Sequence, residues 1–187
     1  MIRTWLLVII LFFFSLANIY SQVKDQGKDL QLIRQLTELT KEHTFLHSFE
    51  GNWKIKGLNY LGEDETPVLG KATVTKILGG HYLEIAMELS ESFGTSHARL
   101  TLGFDTKINK FTLYSMDDYE NSALYCYGEK QGKKIVFEGS DYSIVKKKNI
   151  RFKIEIERER ENKFSYKFYN ETNGKFRLMI EYYFYKQ

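Results

Sequence analysis

The chain has 187 residues and a formal net charge of +3, from 27 basic and 24 acidic side chains. This length fits one domain and is sufficient to bury a core. The charges are too nearly balanced to indicate a nucleic acid partner, so we expect none. The single cysteine, Cys126, excludes an internal disulfide, and the fold must therefore be held by its core.

The first 21 residues have the layout of a secretory signal peptide. Arg3 supplies a positive charge, an almost unbroken apolar run covers residues 5–16, and Ala17, Asn18, Tyr20 and the small residue Ser21 follow. The run is shorter than the ~20 residues that a membrane-spanning helix needs. We therefore expect cleavage after Ser21, a secreted or periplasmic mature chain, and no membrane span after cleavage.

Residues 28–46 carry a helical pattern. Their apolar side chains recur at three- and four-residue spacings, at Leu32, Ile33, Leu36, Leu39, His43 and Leu46. Asp29 lies near the predicted start, where a carboxylate suits the helix dipole. We predict an N-terminal helical segment over residues 22–48, whose helix packs as a lid or plug on the domain that follows.

From residue 49 the period of the pattern changes to two, which predicts strands with one apolar face and one solvent-exposed face. The alternating apolar series are Trp53–Ile55, Val68–Val74, Leu83–Leu89, Ala98–Phe104, Phe111–Leu113, Leu124–Cys126, Phe152–Ile156, Phe164–Phe168 and Phe176–Phe184. Turn sequences such as Asn173-Gly174 separate the series, so neighbouring strands pair in sequence order. A meander of about ten strands protects its edges by closing. We therefore predict an all-β, antiparallel, up-and-down β-barrel over residues 49–187.

The strand register can be predicted for one hairpin from its alternation. If the apolar series of two adjacent strands face the same side, Met87 lies opposite Leu100. That register places Glu88 opposite Arg99 on the outer face, which is a favourable cross-strand pair. The same reasoning pairs Phe104 with Phe111 and Leu102 with Leu113.

Three stretches carry a family resemblance. They are His43-x-x-Leu46 with Gly51-Asn52-Trp53, then Gly70–Lys76 with Ile77-Leu78-Gly79-Gly80-His81-Tyr82-Leu83, then Leu102-Gly103-Phe104-Asp105 with Lys110-Phe111 and Asp117. In this order they resemble the uncharacterised bacterial proteins of domain-of-unknown-function family 1579, over about residues 43–185. The resemblance implies a lipocalin-like or fatty-acid-binding-like closed barrel and no established activity. Two positions depart from the family, since His81 stands where arginine is common and Ser115 about where tryptophan is often found.

Histidines are the strongest candidates in the sequence for metal binding or catalysis. His43 and His47 are four residues apart on the predicted helix and could share a zinc ion, but no third ligand is evident nearby. His81 falls at one end of an inward series, where a haem ligand or a proton acceptor would stand. The alternative is that His81 has a structural role, with its ring nitrogens hydrogen-bonded at the end of the barrel. The residues indicate no metal site, no catalytic residue and no required cofactor.

Small residues in the inward series, such as Gly70, Ala72 and Ser115, leave volume inside the predicted barrel. The favoured hypothesis is a secreted or periplasmic binding protein that holds a small apolar or amphipathic ligand in the barrel. The predicted lining residues are Trp53, His81, Ser115, Asp117, Tyr166 and Tyr182. The alternatives are a filled barrel that acts as an interaction or envelope module without a small-molecule ligand, and a haem-binding or enzymatic barrel.

Overall fold

The structure is a computed structural model and describes residues 28–61, 64–92, 94–119, 122–143 and 146–187. The predicted signal peptide, residues 1–21, lies outside the described residues. The chain divides into two compact units, Met1–Glu38 and Leu39–Gln187. The described part of the first unit contains helix α1, residues 28–37. Within the described ranges, no helix combines the length and apolarity needed to cross a membrane.

The second unit contains one short helix and ten strands. Helix α2 is Lys41–His47, and a 3-10 turn, Leu78–Gly80, connects the second and third strands. The strands are β1 Gly51–Asn59, β2 Thr66–Ile77, β3 Tyr82–Glu91, β4 Gly94–Asp105, β5 Lys110–Asp117, β6 Leu124–Gln131, β7 Lys134–Ser143, β8 Lys148–Arg160, β9 Lys163–Thr172 and β10 Lys175–Lys186.

The ten strands form one closed antiparallel barrel. Each strand pairs with its neighbours in sequence, and β1 also pairs with β10. This closing seam runs from the pair Trp53–Lys186 to the pair Asn59–Ile180. Because the barrel is closed, every strand has a hydrogen-bonded partner on both sides, which removes the exposed edges of an open sheet. The predicted all-β antiparallel barrel of about ten strands with an N-terminal helix is confirmed.

Alternation along each strand builds the core. In β3 the side chains of Leu83, Ile85, Met87 and Leu89 are at most 6% exposed, whereas the residues between them face outward. The turn between β9 and β10 contains Asn173 and Gly174 with φ of 52° and 74°. Two consecutive positive φ values are what a two-residue hairpin turn requires, and asparagine and glycine tolerate them.

The predicted register of the β3–β4 hairpin is wrong by two residues. Met87 lies opposite Ala98, and Glu88 lies opposite His97. Arg99 instead donates to Glu84, with 3.3 Å between Nη1 and Oε2. A shift of two residues keeps the same side chains inside, so alternation alone does not distinguish the two registers. The predicted pairs Phe104–Phe111 and Leu102–Leu113 are confirmed.

A β-bulge in β10 interrupts its apolar series. The register shifts between Leu178 and Ile180, so that Leu178 lies opposite Tyr169 on the outer face. Phe176 is also outside, where the Lys153 ammonium lies 5.5 Å from its ring centre. The extra residue reverses the alternation on the N-terminal side of the bulge, so Arg177 occupies an inward-facing position there.

The predicted continuous helix over residues 28–46 is wrong, because residues 38–40 are not helical. Thr40 caps the second helix: its Oγ1 accepts from the backbone N–H of Glu42 at 3.3 Å. His43 Nδ1 accepts from the backbone N–H of Thr40 at 3.0 Å, which completes a capping box. Within its own unit α2 does pack as a lid, since His43 and Leu46 are buried and the helix contacts β3 and β4.

Candidate functional site

The two ends of the barrel differ in how they are filled. We call the base the end at which α2, the Leu78–Gly80 turn and the β4–β5, β6–β7 and β8–β9 turns lie. We call the mouth the opposite end, at which β1, β3, β5, β7 and β9 end and β2, β4, β6, β8 and β10 begin. Every strand spans the distance between the base and the mouth. The position of an inward-facing residue along its strand therefore assigns it to the base half or to the mouth half.

An aromatic floor fills the base. Its members are Phe49, Trp53, Phe164 and Phe184, which are at most 1% exposed. The ring centre of Phe164 lies 4.0 Å from that of Phe184 and 4.7 Å from that of Trp53. Trp53 Nε1 donates to the Phe49 carbonyl at 2.9 Å. The Arg158 guanidinium lies 5.3 Å from the Trp53 ring centre, within cation–π range. The interior is therefore closed at this end.

Three histidines meet at the base, namely His43 and His47 of α2 and His81. His47 Nε2 lies 2.7 Å from the Gly80 carbonyl oxygen, which can only accept, so this nitrogen carries the proton. The rings of His43 and His81 meet edge to face with 5.6 Å between their centres. In the part of the chain that the structure describes, no group of three or more histidine, cysteine or carboxylate side chains is arranged to hold a metal ion.

The His43 imidazole is disfavoured as a cation. Burial lowers its pKa from the ordinary value of 6.5, and the neighbouring His81 and His47 lower it further, whereas Glu42 acts in the opposite direction. The unfolded chain binds this proton near pH 6.5, while the folded chain resists it to a lower pH. The stabilising contribution of neutral His43 is therefore present above pH 6.5 and is lost as the pH falls through the interval between the two pKa values.

We predict that the free energy of unfolding falls as the pH drops below 6.5, because protonation of His43 also removes the acceptor for the Thr40 N–H. His43→Gln should flatten this fall while it preserves an acceptor at the capping-box position. Urea unfolding at a series of pH values measures both effects. His97→Gln, which removes an exposed histidine, should retain the fall. An undiminished fall in His43→Gln would assign the pH dependence to other groups.

The mouth half of the interior is partly open to solvent. Several side chains that face inward there are partly exposed to solvent, unlike those of the floor. They are Ala98, Ser115, Leu124, Tyr166, Phe168 and Ile180. Solvent reaches these side chains although they face the interior, so the mouth half is less tightly packed than the floor. We call this part of the interior, lined by these six residues and Tyr182, the cup.

Two phenols lie deep in the cup. Tyr166 and Tyr182 are opposite each other on β9 and β10, and their stacked rings have centres 6.1 Å apart. Burial raises the pKa of both phenols, and Asp117 raises each further. Glu91 also raises the pKa of Tyr182. The carboxyl groups of Glu91 on β3 and Asp117 on β5 therefore lie close enough to affect the Tyr182 phenol.

A polar cluster lies at the mouth end of β3 and β4. Burial raises the pKa of Glu91, while hydrogen bonds to the Asn59 and Tyr119 side chains act in the opposite direction. Asn59 and Ser96 are 8% and 2% exposed. Within the described ranges, Glu91 Oε2 and Ser96 Oγ are buried without a hydrogen-bond partner. The Tyr119 side chain lies near both Ser96 and Glu91, since both affect the pKa of its phenol.

The structure divides the six predicted lining residues between the two ends. Ser115, Tyr166 and Tyr182 line the cup, and Asp117 follows Ser115 in the inward series of β5 at the mouth. Trp53 belongs to the floor and is fully buried. His81 lies before β3 begins and packs against His43 of α2. The lining role of all six residues remains a prediction, and the geometry favours the four at the mouth.

The sequence analysis missed the cluster formed by Glu91, Asn59, Ser96 and Tyr119. Three of these residues could have been found by extending the inward alternation to the strand ends. Glu91 follows Leu89 in β3, Asn59 ends the series of β1, and Ser96 precedes Ala98 in β4. A carboxylate on the apolar side of a strand is unusual because burying a charge is costly. Tyr119 lies beyond β5, and no alternation places it.

No curated protein matches the chain. The chain is similar to a solved structure described as "De novo design of a fluorescence-activating beta barrel", with 10% identity, a TM-score of 0.44, and coverage of 76% of this chain and 96% of that chain. It is also similar to "Structure of EF1p2_mFAP2b bound to DFHBI", with 12% identity, a TM-score of 0.42, and coverage of 78% and 98%. The family model DUF1579, described as a protein of unknown function, matches residues 38–186. The chain therefore belongs to the DUF1579 family.

Proposed function

We propose that this protein binds a small apolar or amphipathic molecule in the cup and does so outside the cytoplasm. One observation carries the proposal: inward side chains of the mouth half are partly exposed, whereas the floor at the base is fully packed. A barrel that is closed at one end and incompletely filled at the other provides a concave apolar site.

The chemistry of the cup suits such a ligand. Leu124, Phe168 and Ile180 supply apolar walls that are partly accessible and can lose further surface to a ligand. Tyr166 and Tyr182 add phenols that stack on an apolar ligand and orient its polar groups. Apolar walls with a few polar groups are the usual composition of small-molecule sites.

Export is supported by the sequence of residues 1–21. The thiol of Cys126 is compatible with an oxidising compartment, because it is 4% exposed and burial raises its pKa to about 12. A thiol that is neither accessible nor ionised does not enter disulfide exchange. We therefore propose a secreted or periplasmic location, which fractionation of cells that express the full chain would test.

Filling the cup should weaken binding. We expect the neutral, polarity-sensitive dye Nile red to bind the wild type saturably, with one site per chain. Ser115→Phe places a large ring at a partly exposed inward position and should weaken Nile red binding at least tenfold, the equivalent of about 1.4 kcal/mol. Fluorescence titration measures the affinity, and circular dichroism checks that the variant is folded.

Met116→Phe is the matched control, since Met116 is the next residue of β5, faces outward and is 39% exposed. It should bind Nile red like the wild type. If Ser115→Phe does not fold, Ser115→Leu provides a smaller obstruction at the same position. Wild-type affinity in a folded Ser115→Phe variant would contradict the cup as the site. Native mass spectrometry of the protein from its own host would identify a retained natural ligand.

An interaction module is the second candidate function. The outer face around β5 and β6 exposes aromatic side chains, among them Tyr114, Tyr125 and Tyr127, which are 40%, 52% and 42% exposed. Clustered exposed aromatic residues are typical of interaction surfaces. Failure of the wild type to bind Nile red would favour this candidate. The haem alternative gains no support, because His81 lies against α2 at the base.

A further inference from the structure

The charged residues of the β3–β5 wall of the cup are acidic. Glu91 ends the inward series of β3, and Asp117 ends that of β5. Asp117 lies opposite Ala98, one of the partly exposed lining residues. Both carboxylates act on the Tyr182 phenol, whose pKa is raised first by burial and then by Glu91, Tyr119 and Asp117. Glu91 and Asp117 therefore lie close enough to the Tyr182 phenol to affect its pKa.

The same wall contains polar oxygen atoms without partners. Ser96 faces inward, is 2% exposed, and its Oγ has no hydrogen bond within the described residues. Oε2 of Glu91 is buried nearby and is likewise without a partner in that part of the chain. A buried polar atom without a partner costs free energy in the folded state. A ligand that donates hydrogen bonds to these oxygens would recover that cost.

Basic residues occupy a different part of the barrel. Arg177 lies opposite Asn170 at an inward-facing position of β10, and Lys148 begins β8. Both side chains are exposed to solvent, as is that of Asp117. Water and salt screen exposed charges far more strongly than buried ones. The partly buried carboxyl of Glu91 therefore dominates the recognition of a group that enters the cup.

We propose that the ligand of the cup is an amphipathic amine, which places its ammonium group against Glu91, Ser96 and Asp117 and its apolar portion against Leu124, Phe168 and Ile180. This inference rests on the proposed function and specifies its ligand class. The ammonium supplies three donors and a positive charge for a wall that offers carboxylate and hydroxyl acceptors. A carboxylate ligand of the same length would bring like charges together without filling the unpartnered acceptors.

A matched pair of competitors tests the ligand class. Nile red is bound to the wild type, and decylamine or decanoate is then titrated below its micelle concentration. Decylammonium should displace the dye at a concentration at least tenfold lower than decanoate. In Glu91→Gln, which removes the charge and keeps the shape, the preference should shrink to about threefold or less. Glu88→Gln, on the same strand but outward and paired with Lys71, should retain the full preference.

The outcomes separate the two proposals. If Nile red binds and decanoate competes as well as decylamine, the cup is a binding site and the inference about its ligand is overturned. If decylamine is preferred equally in wild type and Glu91→Gln, the assignment of the acidic wall is overturned. If Nile red does not bind the folded wild type, the proposed function fails, and the inference that rests on it fails as well.

Discussion

Replacing Phe164 with alanine is expected to lower the free energy of unfolding by about 3–5 kcal/mol. Phe164 is fully buried at the centre of the floor. Its ring centre lies 4.0 Å from that of Phe184, 4.7 Å from that of Trp53 and 5.2 Å from that of Phe49. Alanine would remove all three contacts at once. The surrounding strands are held in a closed hydrogen-bonded barrel, so they cannot easily collapse into the space left behind.

Equilibrium urea unfolding followed by circular dichroism measures this loss. Tyr185→Ala is the control, since Tyr185 lies on β10 next to Phe184 but faces outward and is 40% exposed. It should cost at most about 1 kcal/mol, as surface substitutions generally do. Phe164→Leu should fall between the two variants because it keeps most of the apolar volume. A loss below about 1 kcal/mol in Phe164→Ala would contradict a tightly packed floor.

Alternation was sufficient to predict the fold because a buried face imposes it on every strand. The series Leu83–Leu89 and Ala98–Phe104 are inside as predicted, and the turn at Asn173-Gly174 has the expected positive φ values. A change of one residue in register would expose a whole series, so the pattern determines which face is buried. Closure followed from the number of consecutive antiparallel strands and the cost of exposed edges.

Features that leave the alternation intact were not predictable in this way. The register of β3 and β4 differs from the prediction by two residues, which preserves the inward series of both strands. The bulge between Leu178 and Ile180 turns Phe176 outward, although its alternation with Ile180 is regular in the sequence. The helix break before Lys41 depends on a capping box that uses His43 in place of the usual glutamate or glutamine.

The candidate site was predicted where it depends on strand alternation and missed where it depends on packing. Ser115, Tyr166 and Tyr182 were placed inside by their alternation. Alternation contains no measure of whether an interior is filled, so Trp53 of the floor was grouped with residues of the cup. His81 was assigned by extending the β3 series beyond the start of the strand, where alternation no longer applies.

Gly57→Ala is expected to lower the free energy of unfolding by about 1–3 kcal/mol and to weaken Nile red binding. Gly57 lies opposite Tyr182 in the closing seam of β1 and β10. A Cβ at this position would lie 2.5 Å from Tyr182 Cδ1 and would overlap the backbone carbonyl of Glu181. Flexible side chains can move away from such a contact, but here the backbone of β10 must also shift. The substitution therefore strains the seam that closes the barrel.

Urea unfolding and dye titration on the same variant measure the two effects together. Lys56→Ala is the control, because Lys56 precedes Gly57 in β1, is exposed and should leave both quantities nearly unchanged. Unchanged stability in Gly57→Ala would show that the seam adapts to a side chain. A loss of stability with unchanged dye affinity would remove Tyr182 from the binding surface. A loss of both would show that the Gly57–Tyr182 pair of the closing seam also positions a wall of the cup. Closure of the barrel would then be a condition for binding.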